Sequence, residues 1–424
     1  MKAKSALLAS IAVLSAAPAF GLSLEELAAR LEKLEKKVAT YEKRYGPLEQ
    51  PTTSNGPKVR SKPAPRPQPV VSGMATAEDI DQAYLREGNE GSRGGWWERT
   101  SLGGYGELHL NQGDKEQIDF HRWVLFLNHR FSDRIKFFSE LELEHSLSGE
   151  GKPGEIELEQ AYIEFALEQG WSVKAGQFLL PLGSLNETHE PETFFGVERN
   201  NVESNIIPTT WWEGGVGATK SFDSGVSVDV AVHSALSVST DPTNDNAFRI
   251  RSGRQKVANA GATDYAASAR VRYSGIEGLD LSIFANYQND IAPMNAEDNS
   301  ALLLGGSASY RNSGFGLKSL IGHWDIDGQS FAANDADRQW GYFAEPSYTW
   351  SLGGDQKLGV FGRYSHYEFS RGAMNAKGGE FDEYSIGVNY WPTDNVVIKA
   401  DFTQSDQKGG VKNETYNFGL GYSF

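Results

Sequence analysis

No cysteine occurs among the 424 residues, which suits an oxidising compartment where a stray thiol is a liability. Beyond the N-terminus there is no run of eighteen apolar residues, and mean hydropathy is -0.47, so transmembrane helices are excluded. A membrane barrel stays open, because its strands alternate and never look hydrophobic as a whole. Basic charge is in deficit: 40 Lys and Arg against 56 Asp and Glu leave a net -16, which argues against nucleic acid as a partner. Catalytic signatures are missing too, with no HExxH, GxSxG, P-loop or Cys/His metal spacing. The eight histidines look scattered, and His109, His121, His129, His233, His323 and His366 read as interfacial or hydrogen-bonded side chains on strands. A barrel phospholipase needs a Ser–His pair, and Ser365 with His366 does not supply one, because neighbours on a strand face opposite sides. Glu-rich loops offer oxygen ligands for Ca²⁺, without EF-hand spacing. The expectation is no enzyme, no cofactor and no metal.

What is present is alternation. In the last stretch, Thr415 to Phe424, Tyr416, Phe418, Leu420, Tyr422 and Phe424 point one way and Asn417, Gly419, Gly421 and Ser423 the other. A strand with one greasy, aromatic face and one small, polar face suits a barrel with lipid outside and water inside. A chain ending on such a strand resembles outer-membrane proteins, whose assembly machinery reads the last strand. Similar segments recur at about 100–111, 117–131, 133–146, 155–168, 171–181, 212–222, 225–237, 262–274, 278–289, 300–311, 315–326, 338–350, 355–369, 381–391, 394–405 and 413–424. These predict an all-β, antiparallel transmembrane barrel of about sixteen strands. Short turns such as Ser132-Asp133 alternate with long connections such as 182–211 and 238–261, as periplasmic turns and outer loops do. Both ends of the barrel then lie on the periplasmic side of an outer membrane.

The N-terminal part is organised differently. Residues 1–19 read as a secretory signal, with Lys2 and Lys4, an apolar stretch Ala6 to Ala16, and the small-x-small site Ala17-Pro18-Ala19. Over 22–45, Leu24, Leu27, Leu31, Leu34, Val38, Tyr41 and Tyr45 form an a/d seam. A Pro-rich linker, 46–99, tethers this helix, so its stripe has only copies of itself to bury against. A homo-oligomeric periplasmic coiled coil, a trimer, is expected, followed by the barrel at 100–424.

One segment carries a family likeness. PLGSLNETHEPETFFGVERNNVESNIIPTTWWEGGVG (181–217), preceded by DFHRWVLFLNHRF (119–131) and FFSELELEH (137–145), resembles the phosphate-selective porin O and P family. The resemblance implies a trimeric outer-membrane diffusion channel of sixteen strands, embedded in lipid and lipopolysaccharide. The arginine ladder and lysine cluster that carry phosphate selectivity in that family's namesakes have no residue-by-residue counterpart here.

The charges give the candidate path. The loop after the fifth strand offers Glu187, His189, Glu190, Glu192, Glu198, Arg199 and Glu203. A constriction lined chiefly by Glu190, Glu198 and Arg199 is expected, against the alternative of a loop held by internal ion pairs. Parity places Arg122, Glu140, Glu142, Glu144, Arg270, Arg272, Arg363 and Lys399 in the lumen, since Arg or Lys facing mid-bilayer lipid costs roughly 2–4 kcal/mol. Acids on early strands and bases on later ones would set up a transverse field. The alternative is cross-strand pairing, for instance Arg122 with Glu140 or Glu142. Arg249, Arg251, Arg254 and Lys256 form either an anion funnel or a solvated loop that binds lipopolysaccharide phosphates or a neighbouring acidic loop. The expected function is passive diffusion of small hydrophilic solutes, leaning to anions such as phosphate or small organic acids. The alternatives are a general or cation-leaning pore, and a structural tether through the stalk.

Overall fold

A computed structural model describes residues 96–424 except 115, 295–296 and 370–378. The expected signal, the coiled coil and all of the linker before Trp96 lie outside the described residues. The first element is a short 3-10 turn, Trp96–Arg99, leading into β1.

Sixteen strands follow. They are β1 (Thr100–Gly113), β2 (Gln117–Ser132), β3 (Ile135–Glu144), β4 (Ile156–Ala166), β5 (Trp171–Leu179) and β6 (Trp212–Ser221). Next come β7 (Val226–Ser234), β8 (Tyr265–Ile276), β9 (Leu279–Gln288), β10 (Ala301–Asn312) and β11 (Phe315–Ile326). The last are β12 (Arg338–Gly353), β13 (Gln356–Glu368), β14 (Glu380–Thr393), β15 (Val396–Gln407) and β16 (Val411–Ser423). No strand end departs from the sequence-based bounds by more than three residues, as at Ser234 against 237.

Each strand pairs antiparallel with its neighbours in sequence, and β16 returns to β1, so the sheet is a closed barrel without edges. Closure runs from Tyr105 opposite Ser423 to Gly113 opposite Thr415. Reciprocal backbone bonds join Gly104 N to Phe424 O at 3.0 Å and Phe424 N to Gly104 O at 2.9 Å.

The outer face follows from the alternation. On β16, Tyr416, Phe418 and Leu420 are exposed while Asn417 and Gly421 are buried. On β8, Tyr265, Ala269 and Val271 are exposed and Ala266 and Ser268 buried. Aromatics collect at both rims: Phe131, Trp171, Phe222, Phe315, Trp350 and Phe424 at the short-turn end, and Tyr265, Tyr287 and Tyr416 at the long-loop end. The short turns are tight. In the one joining β8 to β9, Gly278 has φ 75°, and a Cβ there would collide with the Arg311 carbonyl.

The long connections turn inward. Loop 180–211 contributes Leu180, Leu182, Val202, Ile206, Ile207 and Trp211 to an apolar cluster inside the barrel. Phe248 and Ile250 of loop 235–264 join it, against Phe284, Leu303, Leu320, Trp324 and Phe343 of β9 to β12. Burying these side chains is worth on the order of 1.5–3 kcal/mol each, enough to hold both loops within the lumen.

Candidate permeation path and constriction

Loop 180–211 contacts the wall nearly all the way round. It leaves β5 at Leu180, whose N–H donates to the Trp211 carbonyl at 3.0 Å, and Glu187 then meets Arg270 of β8. His189 lies against β3 and β4, its Nε2 3.4 Å from Glu140 Oε1 and 3.5 Å from Glu159 Oε2. Arg122 of β2 donates to the His189 carbonyl at 2.6 Å. Farther on, Arg363 of β13 donates to the Phe195 carbonyl at 2.6 Å, and Lys399 of β15 to that of Gly196 at 2.8 Å. Asp401 accepts the Val197 N–H at 2.7 Å, and the Phe195 ring stacks on Phe361 at 5.4 Å. The return passes Trp324 of β11, whose indole N–H donates to the Ile206 carbonyl at 2.8 Å.

The loop has its own staple. Glu203, fully buried, accepts from the Ser184 and Leu185 N–H groups, the Ser184 hydroxyl and the Asn200 amide, joining the start of the loop to its return. His189 is the second anchor. Burial alone would push its pKa down, but the facing Glu140 and Glu159 hold it well above the usual imidazole value, so it is a cation at neutral pH. Glu190, next to it, is pushed up to about 7 by burial, with Glu192 and Glu140 adding repulsion against the His189 charge and a backbone hydrogen bond.

Two open spaces border the loop. The larger, about 1620 Å³, runs between residues 194–204 and strands β13 to β16 and β1, where Glu198, Arg199, Glu383 and Asp401 face it. The smaller, a cleft of about 50 Å³, lies between residues 182–188 and strands β8 to β11, lined by Glu187, Asp280, Arg270, Arg272 and Lys318.

The expected site residues divide between these surroundings. Glu198 and Arg199 face the larger space, and no ion pair joins Arg199 to a carboxylate among the described residues. Glu190 does not face it: its carboxyl is buried beneath the loop. Arg122, Glu140, Glu142, Arg363 and Lys399 are buried where loop meets wall, Glu144 is half-buried, and Arg270 and Arg272 border the smaller space. The bases have partners. Arg272 pairs with Asp280 at 2.5 Å, Arg363 with Glu345 at 2.6 Å, and Arg270 with Asp229 at 2.9 Å as well as with Glu187. Arg122 pairs with Glu107, not with Glu140 or Glu142 as parity suggested, because the β1–β2 register sets Glu107 directly opposite it.

In loop 235–264, Arg251 and Arg254 donate to the Thr209 and Thr210 carbonyls, and Arg249 lies over the Phe369 ring at 4.8 Å. Lys256 reaches Glu155 at 2.9 Å and also Glu157. These four bases fasten one loop to its neighbours.

The histidines are less scattered than the sequence suggests: His109, His121 and His145 stand together beside Asp119 and Glu198. Strict alternation puts Asp119 and His121 on the same side as lipid-facing Leu125 and Leu127. Between Glu107 and His109 the register shifts, however, so that two steps along β1 match three along β2, from Arg122 to Asp119. That extra residue brings His121 alongside His109, their rings stacked at 4.6 Å.

The profile of the Gram-negative porin family matches residues 122–410. An uncharacterized protein of Aquifex aeolicus (strain VF5) is 27% identical over 356 residues, 77% of this chain and 80% of that one. Among solved structures, the anion-selective porin from Comamonas acidovorans superposes with a TM-score of 0.52 at 11% identity, over 77% of this chain and 99% of that one. OmpF of Salmonella typhi in complex with daunomycin gives 0.52 at 11%, over 77% and 97%. OmpT of Vibrio cholerae, folded in vitro and in trimer form, gives 0.50 at 11%, over 77% and 99%. At such identities the structural likeness concerns the fold alone. With the profile matched over more than half its length and sixteen strands closed around inward-folded loops, this chain belongs to the Gram-negative porin family, outer-membrane barrels that form diffusion pores.

Proposed function

We propose that the pore passes small hydrophilic solutes passively with weak selection by charge sign, and that loop 180–211 sets its narrowest section. The observation that carries this is the matching of the wall's bases. Arg122, Arg270, Arg272 and Arg363 each face a carboxylate, and Lys399 faces a carbonyl, so these five do not form a ladder of free cations. Around the larger space, Glu198, Glu383 and Asp401 stand against Arg199 and Arg251. Rows of opposite charge across a narrow lumen admit small ions of both signs.

The test is the zero-current potential of the purified protein in a planar bilayer under a KCl gradient. A potential well short of both the potassium and the chloride limits is expected, and one close to either limit refutes weak selection.

An anion-leaning pore, taking phosphate or small organic acids as the likeness to the O and P family implies, is the second reading. It is favoured by the lining of the smaller space, where Arg270, Arg272 and Lys318 stand with Glu187 and Asp280. A potential near the chloride limit, with phosphate competing for current, would establish it. We also propose that the barrel assembles as a trimer, with residues 22–45 as a periplasmic coiled-coil stalk.

A further inference from the structure

We propose that Asp119, His121 and His145 form a binding site for a divalent transition-metal ion of the zinc class in the wall of the lumen. Three of the chain's eight histidines meet at this point, drawn from β1, β2 and the end of β3. One carboxylate oxygen is the focus: Asp119 Oδ2 lies 3.3 Å from His121 Nδ1 and 2.7 Å from His145 Nδ1. Two ligands of a tetrahedral ion held at about 2.05 Å stand about 3.3 Å apart; the two Asp119 separations come close to this, and all three ligand atoms lie within 4.8 Å of one another. The His121 and His145 rings meet at 75°, with centroids 5.8 Å apart, so their in-plane lone pairs can converge.

The donor set decides the class of ion. Two imidazoles with one carboxylate suit zinc, copper or nickel, whereas calcium and magnesium prefer oxygen alone. All three side chains are partly open to solvent, at 15% for Asp119, 34% for His121 and 32% for His145, which leaves coordination positions for water. His121 also borders the larger open space, so an ion can arrive from the lumen. On its other side stand His109 and Glu198, the latter held 3.2 Å from His109 Nδ1. An ion centred on His121 therefore lies next to Glu198 of the constriction loop.

The experiment is a zinc titration of the full-length protein, stripped with chelator and refolded in detergent, against a chromophoric competitor. One equivalent of zinc per chain is expected, undiminished by excess calcium. Affinity falls at least about tenfold in His121→Asn and in His145→Asn, since the loss even of an outer-shell partner costs that much. His366→Asn, which alters a distant histidine, leaves the titration unchanged. No binding, or equal binding in wild type and both variants, overturns the proposal. Weakening in His121→Asn alone overturns it too, because it would place the ion on His109 and Glu198. A measurement free of variants is zinc K-edge absorption of the loaded wild type, where two imidazoles are expected and an all-oxygen shell refutes the site.

Discussion

Glu190 is the loop side chain whose ionisation the surroundings tolerate least. Its Oε2 is buried without a hydrogen-bond partner, and burial pushes its pKa up to about 7. The folded value lies above the unfolded one of 4.5, so its contribution to loop docking is full below about pH 4.5 and is lost progressively as pH rises to about 7. The shift corresponds to on the order of 3 kcal/mol. Single-channel records are therefore expected to become noisier as pH rises from about 4.5 to about 7, and Glu190→Gln is expected to remove that dependence. A variant with an unchanged pH profile would sink the assignment. Single residues were legible where parity sufficed: Arg270 and Arg272 point inward because Val271 between them faces lipid. Parity fails at a register shift. Nothing local in Asp119-Phe120-His121 announces that β2 gains a residue on β1, so the histidine cluster was invisible. Glu190 was misjudged for a related reason, since its burial depends on partners far along the chain.

Among the elements, loop 180–211 depends on pairings that the strands do not share. His189 sits between two buried carboxylates, Glu140 and Glu159. Removing one member of a buried charge set costs about 3–5 kcal/mol, because the remaining charges stay unpaired. His189→Ala is thus expected to free this part of the loop and leave the sixteen-strand ladder intact. Heat-modifiable migration on gels should be unchanged while single-channel conductance rises or flickers, and a conductance like that of the wild type would refute the anchor. Removing the Glu203 carboxylate, as in Glu203→Ala, attacks the same element from within. It orphans the Ser184 and Leu185 N–H groups at about 1–3 kcal/mol each, and the same conductance readout applies. The strands were readable from sequence because lipid demands strict alternation and each hairpin is local. The loop's course was not, because Pro181 to Gly217 carries no period, and its contacts with β2, β13 and β15 join residues up to 204 positions apart.

At the scale of the molecule, closure is the organising fact. The hydrocarbon layer offers no partner for a free N–H or C=O, so a membrane sheet must end where it begins. Here that joint is the pairing of Tyr105–Gly113 with Thr415–Ser423, extended by the two bonds between Gly104 and Phe424. Every strand that takes part lies between Thr100 and Ser423, and the contacts named above for both inward loops all fall on residues of that same region. Barrel formation and conduction should therefore be independent of the heptad segment. A chain lacking residues 22–45 is expected to refold to a heat-modifiable barrel whose conductance per chain equals that of the full protein. If the segment acts as the proposed stalk, the same deletion lowers the yield of trimer on native gels, and cells carrying it leak periplasmic protein. Full conductance with an unaltered trimer and an intact envelope would remove the stalk's oligomeric and tethering roles. Loss of the barrel itself would mean that assembly at the membrane, rather than closure of the sheet, depends on residues outside it.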